Sequence, residues 1–131
     1  MGGLLPELTP ENRAFWTGGS EGRLMIACCK DCDRRIHPPQ LVCPSCLSEA
    51  VEARMASGQG TIESWTINHQ PWMPGLEVPY ALAIVALDDQ PGVRLTAQLR
   101  NVSLDAIHIG MAVRVGFEPR EDVHIPVFMP A

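Results

Sequence analysis

The sequence predicts a mainly β protein: a short amino-terminal helix, then a cysteine-rich ribbon, then five strands closing into a small barrel. Three observations carry that reading. All five cysteines lie between residues 28 and 46. The carboxy-terminal half holds runs that alternate apolar and polar residues, the period of two that marks a half-buried strand. A length of 131 residues with 46% hydrophobic content suits one ordinary domain, or a small module beside a compact one. The natural divisions are 1–22 for the arm, 23–54 for the ribbon and 55–131 for the barrel.

The arm carries helix signals. Thr9 can cap, Pro10 suits the first helical position, Glu11 favours the positive end of the helix dipole, and Gly18-Gly19 is a stop. Phe15 and Trp16 form an aromatic end. They either pack on their own domain or dock on a partner, because bulky aromatics are costly to leave in water.

The stretch CCKDCDRRIHPPQLVCPSC holds two knuckles, Cys29-x2-Cys32 and Cys43-x2-Cys46, ten residues apart. Two such turns aim four thiolates at one point, the tetrahedral set that structural zinc prefers. The amino terminus has neither a basic region nor a long apolar core, and there is no run of about 18 apolar residues. A cytoplasmic setting is therefore expected, with reduced thiols that favour a metal site over disulfides. One structural zinc per chain is expected, closed to substrate; iron, as in a rubredoxin-like electron carrier, is the alternative for the same ligands. A four-thiolate zinc site carries two net negative charges, which Lys30, Arg34 and Arg35 stand close enough in sequence to offset. Cys28 is spare and reads as a small buried thiol. Metal knuckles favour glycine after the second cysteine, where the backbone turns left-handed. Here Asp33 and Leu47 stand there, and since leucine tolerates that conformation poorly, distortion of the second knuckle is expected.

After residue 55 five strands are expected, over 58–70, 80–89, 93–100, 111–118 and 123–129. Gly58 and Gly60 permit a bend or bulge in the first. The second, YALAIVALDD, is nearly all apolar, as in a strand covered on both faces. The third and fourth put Val93, Leu95, Ala97, Leu99 and Met111, Val113, Val115, Phe117 inward. Residues 88–92 make a hairpin loop, and SLDAIHIG a capped helical turn between the third and fourth strands. Five strands with that insertion point to an oligonucleotide/oligosaccharide-binding (OB) barrel. The first link, NHQPWMPGLEVP, holds three prolines and Trp72 and has the length of a functional loop.

Net charge is −5, and from residue 56 onward four arginines face eight acids. That balance argues against nucleic acid, although OB barrels and zinc ribbons often bind single strands; such a module is the runner-up reading. No membrane association is expected. His37, His69, His108 and His124 are scattered among different elements, with no nucleophile–base motif and no phosphate-cradling glycine loop. No catalytic residue is expected. His69, Trp72 and Tyr80 around the long link, and Arg94 and Arg100 on the polar face of the third strand, are candidates for ligand or partner contact, alongside Phe15 and Trp16.

The order of helix, ribbon and barrel, with HPPQLVCPSC, GQGTIESWTINHQ, PYALAIVALDD and IGMAVRVGFE in sequence, resembles the DUF35 family of zinc-ribbon OB-fold proteins. The resemblance extends from about residue 11 onward; Cys28 and the missing knuckle glycines depart from it. It implies a rubredoxin-like zinc ribbon on Cys29, Cys32, Cys43 and Cys46 beside an OB-fold. It also implies a non-catalytic partner of thiolase-superfamily enzymes or lipid-transfer-protein-like aldolases acting on acyl-CoA, in an assembly of two plus two. The barrel would help line the route for the CoA arm.

Overall fold

In a computed structural model, which describes residues 6–70 and 78–131, the chain begins with helix α1 (Arg13–Thr17) and a 3₁₀ turn (Gly18–Glu21). The helix starts later than the capping signals imply. Thr9 opens a turn whose carbonyl accepts from Asn12 and Arg13 N–H, and Asn12 Oδ1 reaches back to the Thr9 N–H at 2.8 Å. The Thr9 hydroxyl is buried without a partner, so it caps nothing. The α-helix does end where Gly18-Gly19 implies, with Gly18 as its cap, but the chain runs on into the 3₁₀ turn, which stops at Gly22, φ 71°. Gly19 is instead a point of close approach, where a Cβ would lie 2.5 Å from the Phe117 ring and 2.6 Å from His124. Only glycine lets the arm press so closely on the barrel.

The ribbon sheet has three antiparallel strands in the order β2-β1-β3: β1 (Leu24–Cys29), β2 (Arg35–Ile36) and β3 (Val51–Ala56). The barrel sheet follows with β4 (Gln59–Asn68), β5 (Tyr80–Leu87), β6 (Arg94–Gln98), β7 (Ala112–Arg120) and β8 (Val123–Pro130). Its order is β6-β5-β4-β7-β8, with a 3₁₀ turn at Leu104–Ala106 before β7. The sheet closes through a parallel bridge between Leu99 and Phe128, backed by the Arg100 N–H donating to the Phe128 carbonyl at 2.8 Å. This is the OB arrangement the five-strand pattern implies.

The alternation in β6 falls as read, with Leu95 3% and Ala97 8% exposed. The reading of β5 as covered on both faces is corrected. Ala81, Ala83, Val85 and Leu87 are buried, Leu82 and Ala86 are half-buried, and Ile84 is 38% exposed. The strand does alternate, but its outward residues are also apolar and the run masks the period. The bulge in β4 is not at the glycines. It lies between Ile62 and Ser64, where Glu63 has no partner in β5. Gly58 sits at φ 81°, while Gly60 lets β5 close in, since a Cβ there would lie 2.4 Å from Val85.

One core cluster fills the barrel and takes in β1: Phe15, Leu24, Ile26, Ile62, Val85, Val113 and Phe128 are members. Burying side chains of this size contributes about 1.5–3 kcal/mol each. A smaller cluster of Ala27, Cys29, Ile36 and Cys43 belongs to the ribbon.

Candidate metal centre and adjoining cleft

The two knuckles repeat one backbone pattern. The N–H of Asp33 donates to the Cys29 carbonyl and that of Leu47 to the Cys43 carbonyl, both at 2.9 Å. Cys29 N–H donates to the Arg34 carbonyl and Cys43 N–H to that of Ser48, again at 2.9 Å. Asp33 stands at φ 64° and Leu47 at φ 62°. The expected distortion of the second knuckle is therefore absent, because Leu47 accepts the left-handed backbone instead. That posture costs a non-glycine residue about 1–2 kcal/mol, part of which glycine would return as unfolded-chain entropy. Leu47→Gly is expected to raise stability by about 0.5–1 kcal/mol with full zinc retention, read by thermal melting of the zinc-loaded protein. Unchanged or lower melting would show that the leucine side chain contributes more than its backbone costs.

The knuckles bring the four sulfurs together. Cys29 Sγ lies 3.6 Å from Cys46 Sγ, and Cys32 Sγ lies 3.6 Å from Cys43 Sγ. All four are within 4.8 Å of one another. Sulfurs at about 2.3 Å around tetrahedral zinc stand about 3.8 Å apart, so the set fits that ion. Backbone N–H groups of Cys46 and Ser45 point at Cys43 and lower its pKa to about 6; those of Cys32 and Asp31 lower Cys29. Cys32 receives one such donor, from Arg34, but its bond to the Cys43 sulfur pushes it up to about 12. Metal binding must displace whatever protons these thiols hold. Zinc held here would supply folding energy and no open coordination position.

Cys28 is fully buried, outside that set, with its Sγ 3.6 Å from Asp33 Oδ1. Burial pushes its thiol pKa up. The neighbouring cations have partners: Lys30 pairs with Glu52, Arg54 with Glu52 and Asp33, Arg35 with Asp33, and Arg34 with Ser45. At the ribbon tip Leu41, Val42 and Leu47 are 59%, 40% and 74% exposed. Composition conceals this exposure; the places of these residues beside Cys43 and Cys46 reveal it.

A cleft of about 450 Å³ opens where arm, ribbon and barrel meet. Phe15 and Trp16 of α1, the His37-Pro38-Pro39 turn, and residues of β5, β6, β7 and β8 line it. Phe15 is 7% exposed and belongs chiefly to the core, its ring 4.8 Å from Trp16 and 4.9 Å from His37. Trp16 is half-buried and forms the wall. Burial lowers the pKa of His37, whose Nδ1 has no hydrogen-bond partner. Arg100 reaches the cleft and makes a two-pronged ion pair with Glu118 at 2.8 and 3.1 Å.

The other sequence candidates are not gathered there. Arg94 is exposed, outside the cleft lining, and paired with Glu63. Tyr80 accepts from Asn68 Nδ2 at 2.6 Å at the root of the long link. His69 is exposed beside it, and Trp72 lies outside the described residues. Sequence reasoning missed Pro38, Pro39 and Gln98 as cleft residues, although HPPQ was one of the stretches carrying the resemblance.

Comparison with known proteins follows the same two-part division. Residues 16–52 match the family model described as the ChsH2 rubredoxin-like zinc ribbon domain, and residues 53–118 the ChsH2 C-terminal OB-fold domain. A probable enoyl-CoA hydratase alpha subunit of Thermomonospora curvata is 34% identical over 127 residues, 96% of this chain and 39% of that protein. This chain thus spans well under half the length of that relative. A DUF35 domain-containing scaffold protein of Methanothermobacter thermautotrophicus is 32% identical over 91 residues, 68% of this chain and 67% of the relative. The solved Ltp2-ChsH2(DUF35) aldolase contains a chain 32% identical with a TM-score of 0.86, over 96% of this chain and 98% of that one. The ribbon, the barrel and their order along the sequence therefore have one explanation: this chain belongs to the DUF35 family, in its ChsH2-like form of zinc ribbon followed by OB-fold.

Proposed function

We propose that this chain is a non-catalytic accessory subunit that binds and stabilises a thiolase-superfamily enzyme or a lipid-transfer-protein-like aldolase working on acyl-CoA. The observation that carries the reading is a metal-ready scaffold that presents apolar side chains at two places, beside the second knuckle and in the arm–barrel cleft. Exposed aliphatic side chains beside a knuckle and a half-buried tryptophan beside a cleft are what a protein interface uses as anchors. The likeness to the chain in the Ltp2-ChsH2(DUF35) aldolase supports the same reading, as do relatives described as scaffold proteins or as a hydratase alpha subunit. Cys29, Cys32, Cys43 and Cys46 hold one structural zinc. Arg100, Trp16 and the cleft floor stand nearest the acyl or CoA route. Two copies of each subunit form the assembly, in the cytoplasm. The arm 1–22, ribbon 23–54 and barrel 55–131 act as one scaffold.

Single-stranded nucleic acid is disfavoured by the barrel face itself. OB barrels bind oligonucleotides across their second and third strands, here β5 and β6. Both arginines on β6 or at its end are engaged by carboxylates, Arg94 by Glu63 and Arg100 by Glu118, and Leu82 and Ile84 lie between them. Salt-dependent binding of a labelled oligonucleotide would revive that reading.

The direct test is co-expression with a thiolase-superfamily enzyme or aldolase from the same genome, followed by size-exclusion chromatography and metal analysis. A shared peak with about one zinc per chain is expected. Trp16→Ala is expected to weaken association about tenfold, in line with a tryptophan anchor. Separate elution, with the enzyme's solubility and activity unchanged, would sink the proposal.

A further inference from the structure

Beyond the shared core, to which β1 contributes Leu24 and Ile26, a side-chain relay through Arg35 joins ribbon and barrel. Asp33, in the left-handed position of the first knuckle, accepts Arg35 Nη1 at 2.9 Å, and Arg35 also donates to the Asp33 carbonyl at 2.7 Å. Arg35 Nε then donates to Gln90 Oε1 at 3.1 Å. Gln90 is 5% exposed, the one fully buried polar side chain among the described residues, and sits in the β5–β6 turn. That turn is held on its other side by the Ser57 N–H, which donates to Asp89 at 2.8 Å. Two residues beyond Arg35 the chain becomes the His37-Pro38-Pro39 wall of the cleft. Only Ile36, 3% exposed in the ribbon's own small cluster, stands between.

We propose that Arg35 and Gln90 form a clamp that makes the shape of the cleft depend on the metal. A filled site sets the first knuckle, the knuckle sets Asp33, and Asp33 holds Arg35 against the barrel turn, so the 37–39 wall stands in place. An empty site frees the knuckle and loosens the wall, which keeps the packing of His37 on Phe15, while the barrel keeps its core of Ile62, Val85, Val113 and Phe128. Binding at the cleft then requires a loaded ribbon, although no metal ligand faces the cleft. This holds whichever enzyme the chain serves, because it concerns only how the wall is supported.

Hydrogen exchange on the full chain tests it, comparing zinc-loaded protein, chelator-stripped protein and zinc-loaded variants. Stripping is expected to speed exchange roughly tenfold in peptides spanning 35–41 and 88–92, with β7 and β8 unchanged. Zinc-loaded Gln90→Ala is expected to reproduce the 35–41 change with its metal still bound. Zinc-loaded Gln90→Glu, which offers Arg35 a carboxylate, is expected to keep or raise protection there. The clamp is overturned if Gln90→Ala leaves 35–41 as protected as wild type. It is also overturned if stripping exposes every strand of the barrel alike.

Discussion

Cys43→Ser is expected to abolish stoichiometric zinc binding and unfold the ribbon. Cys43 is fully buried, at the centre of the small ribbon cluster, and its sulfur is 3.6 Å from that of Cys32. Two backbone N–H groups favour its thiolate, lowering its pKa to about 6, so serine would replace the site's best-prepared ligand with a poor one. Structural zinc in small modules contributes about 10–16 kcal/mol of apparent binding energy, most of which is folding energy. The ribbon's own cluster has only four residues, although β1 and β3 also reach the barrel core through Leu24, Ile26 and Ala56. Elemental analysis should read well below one zinc per chain, and strands β1 to β3 should lose exchange protection. Cys28→Ser is the control: its sulfur lies outside the four-sulfur set, so zinc should stay. Full zinc and unchanged melting in Cys43→Ser would contradict the ligand set.

The second large effect is Phe128→Ala. Phe128 is completely buried, pairs with Val115 in β7, and makes the parallel bridge to Leu99 that closes the barrel. Removing a buried phenylalanine costs about 3–5 kcal/mol. Against the roughly 5–15 kcal/mol total of an ordinary domain, that consumes about a fifth or more of the margin. A fall in melting temperature of about 10–20 °C is expected, with a matching shift in urea midpoint. The loss falls on the shared core and outside the four-sulfur set, so zinc content should not change. Loss of zinc in this variant would mean that ribbon and barrel fold as one unit.

What could be read in the residues follows from how local each signal is. Four cysteines in two knuckles announce their own geometry, because a turn of that length can point both sulfurs one way. The strict alternation of β6 announces its inner face, since Leu95 and Ala97 contrast with Arg94 and Thr96. In β5 the same rule fails: Leu82 and Ile84 are as apolar as their buried neighbours, and only the partners on each side tell them apart. The helix starts later than its capping signals imply because Asn12, not Thr9, makes the local side-chain bond. The second knuckle was judged by leucine's preference, yet the four sulfurs and the hydrogen-bond pattern outweigh about 1–2 kcal/mol of backbone strain. The cleft was least legible, because its walls come from three stretches far apart in the chain. Arg94 and Arg100 looked alike as exposed cations on one strand; only tertiary placement sends one to Glu63 and the other into the cleft.

The bulge at Glu63 gives β4 two different phases. Before it, Ile62 faces Val85 on the inner side; after it, Trp65 and Ile67 take up the register of Ala83 and Ala81, also inner positions, although Trp65 at the sheet's open end is still 37% exposed and Ile67 half-buried. An unbroken strand would have turned Trp65 and Ile67 outward and drawn Ser64 and Thr66 in. The extra residue therefore acts as a phase shifter, and position 63 should tolerate changes of side chain far better than a change of length. Deleting Glu63 would send a tryptophan and an isoleucine to the wrong side of the sheet at once, whereas Glu63→Gln would lose only an exposed ion pair with Arg94.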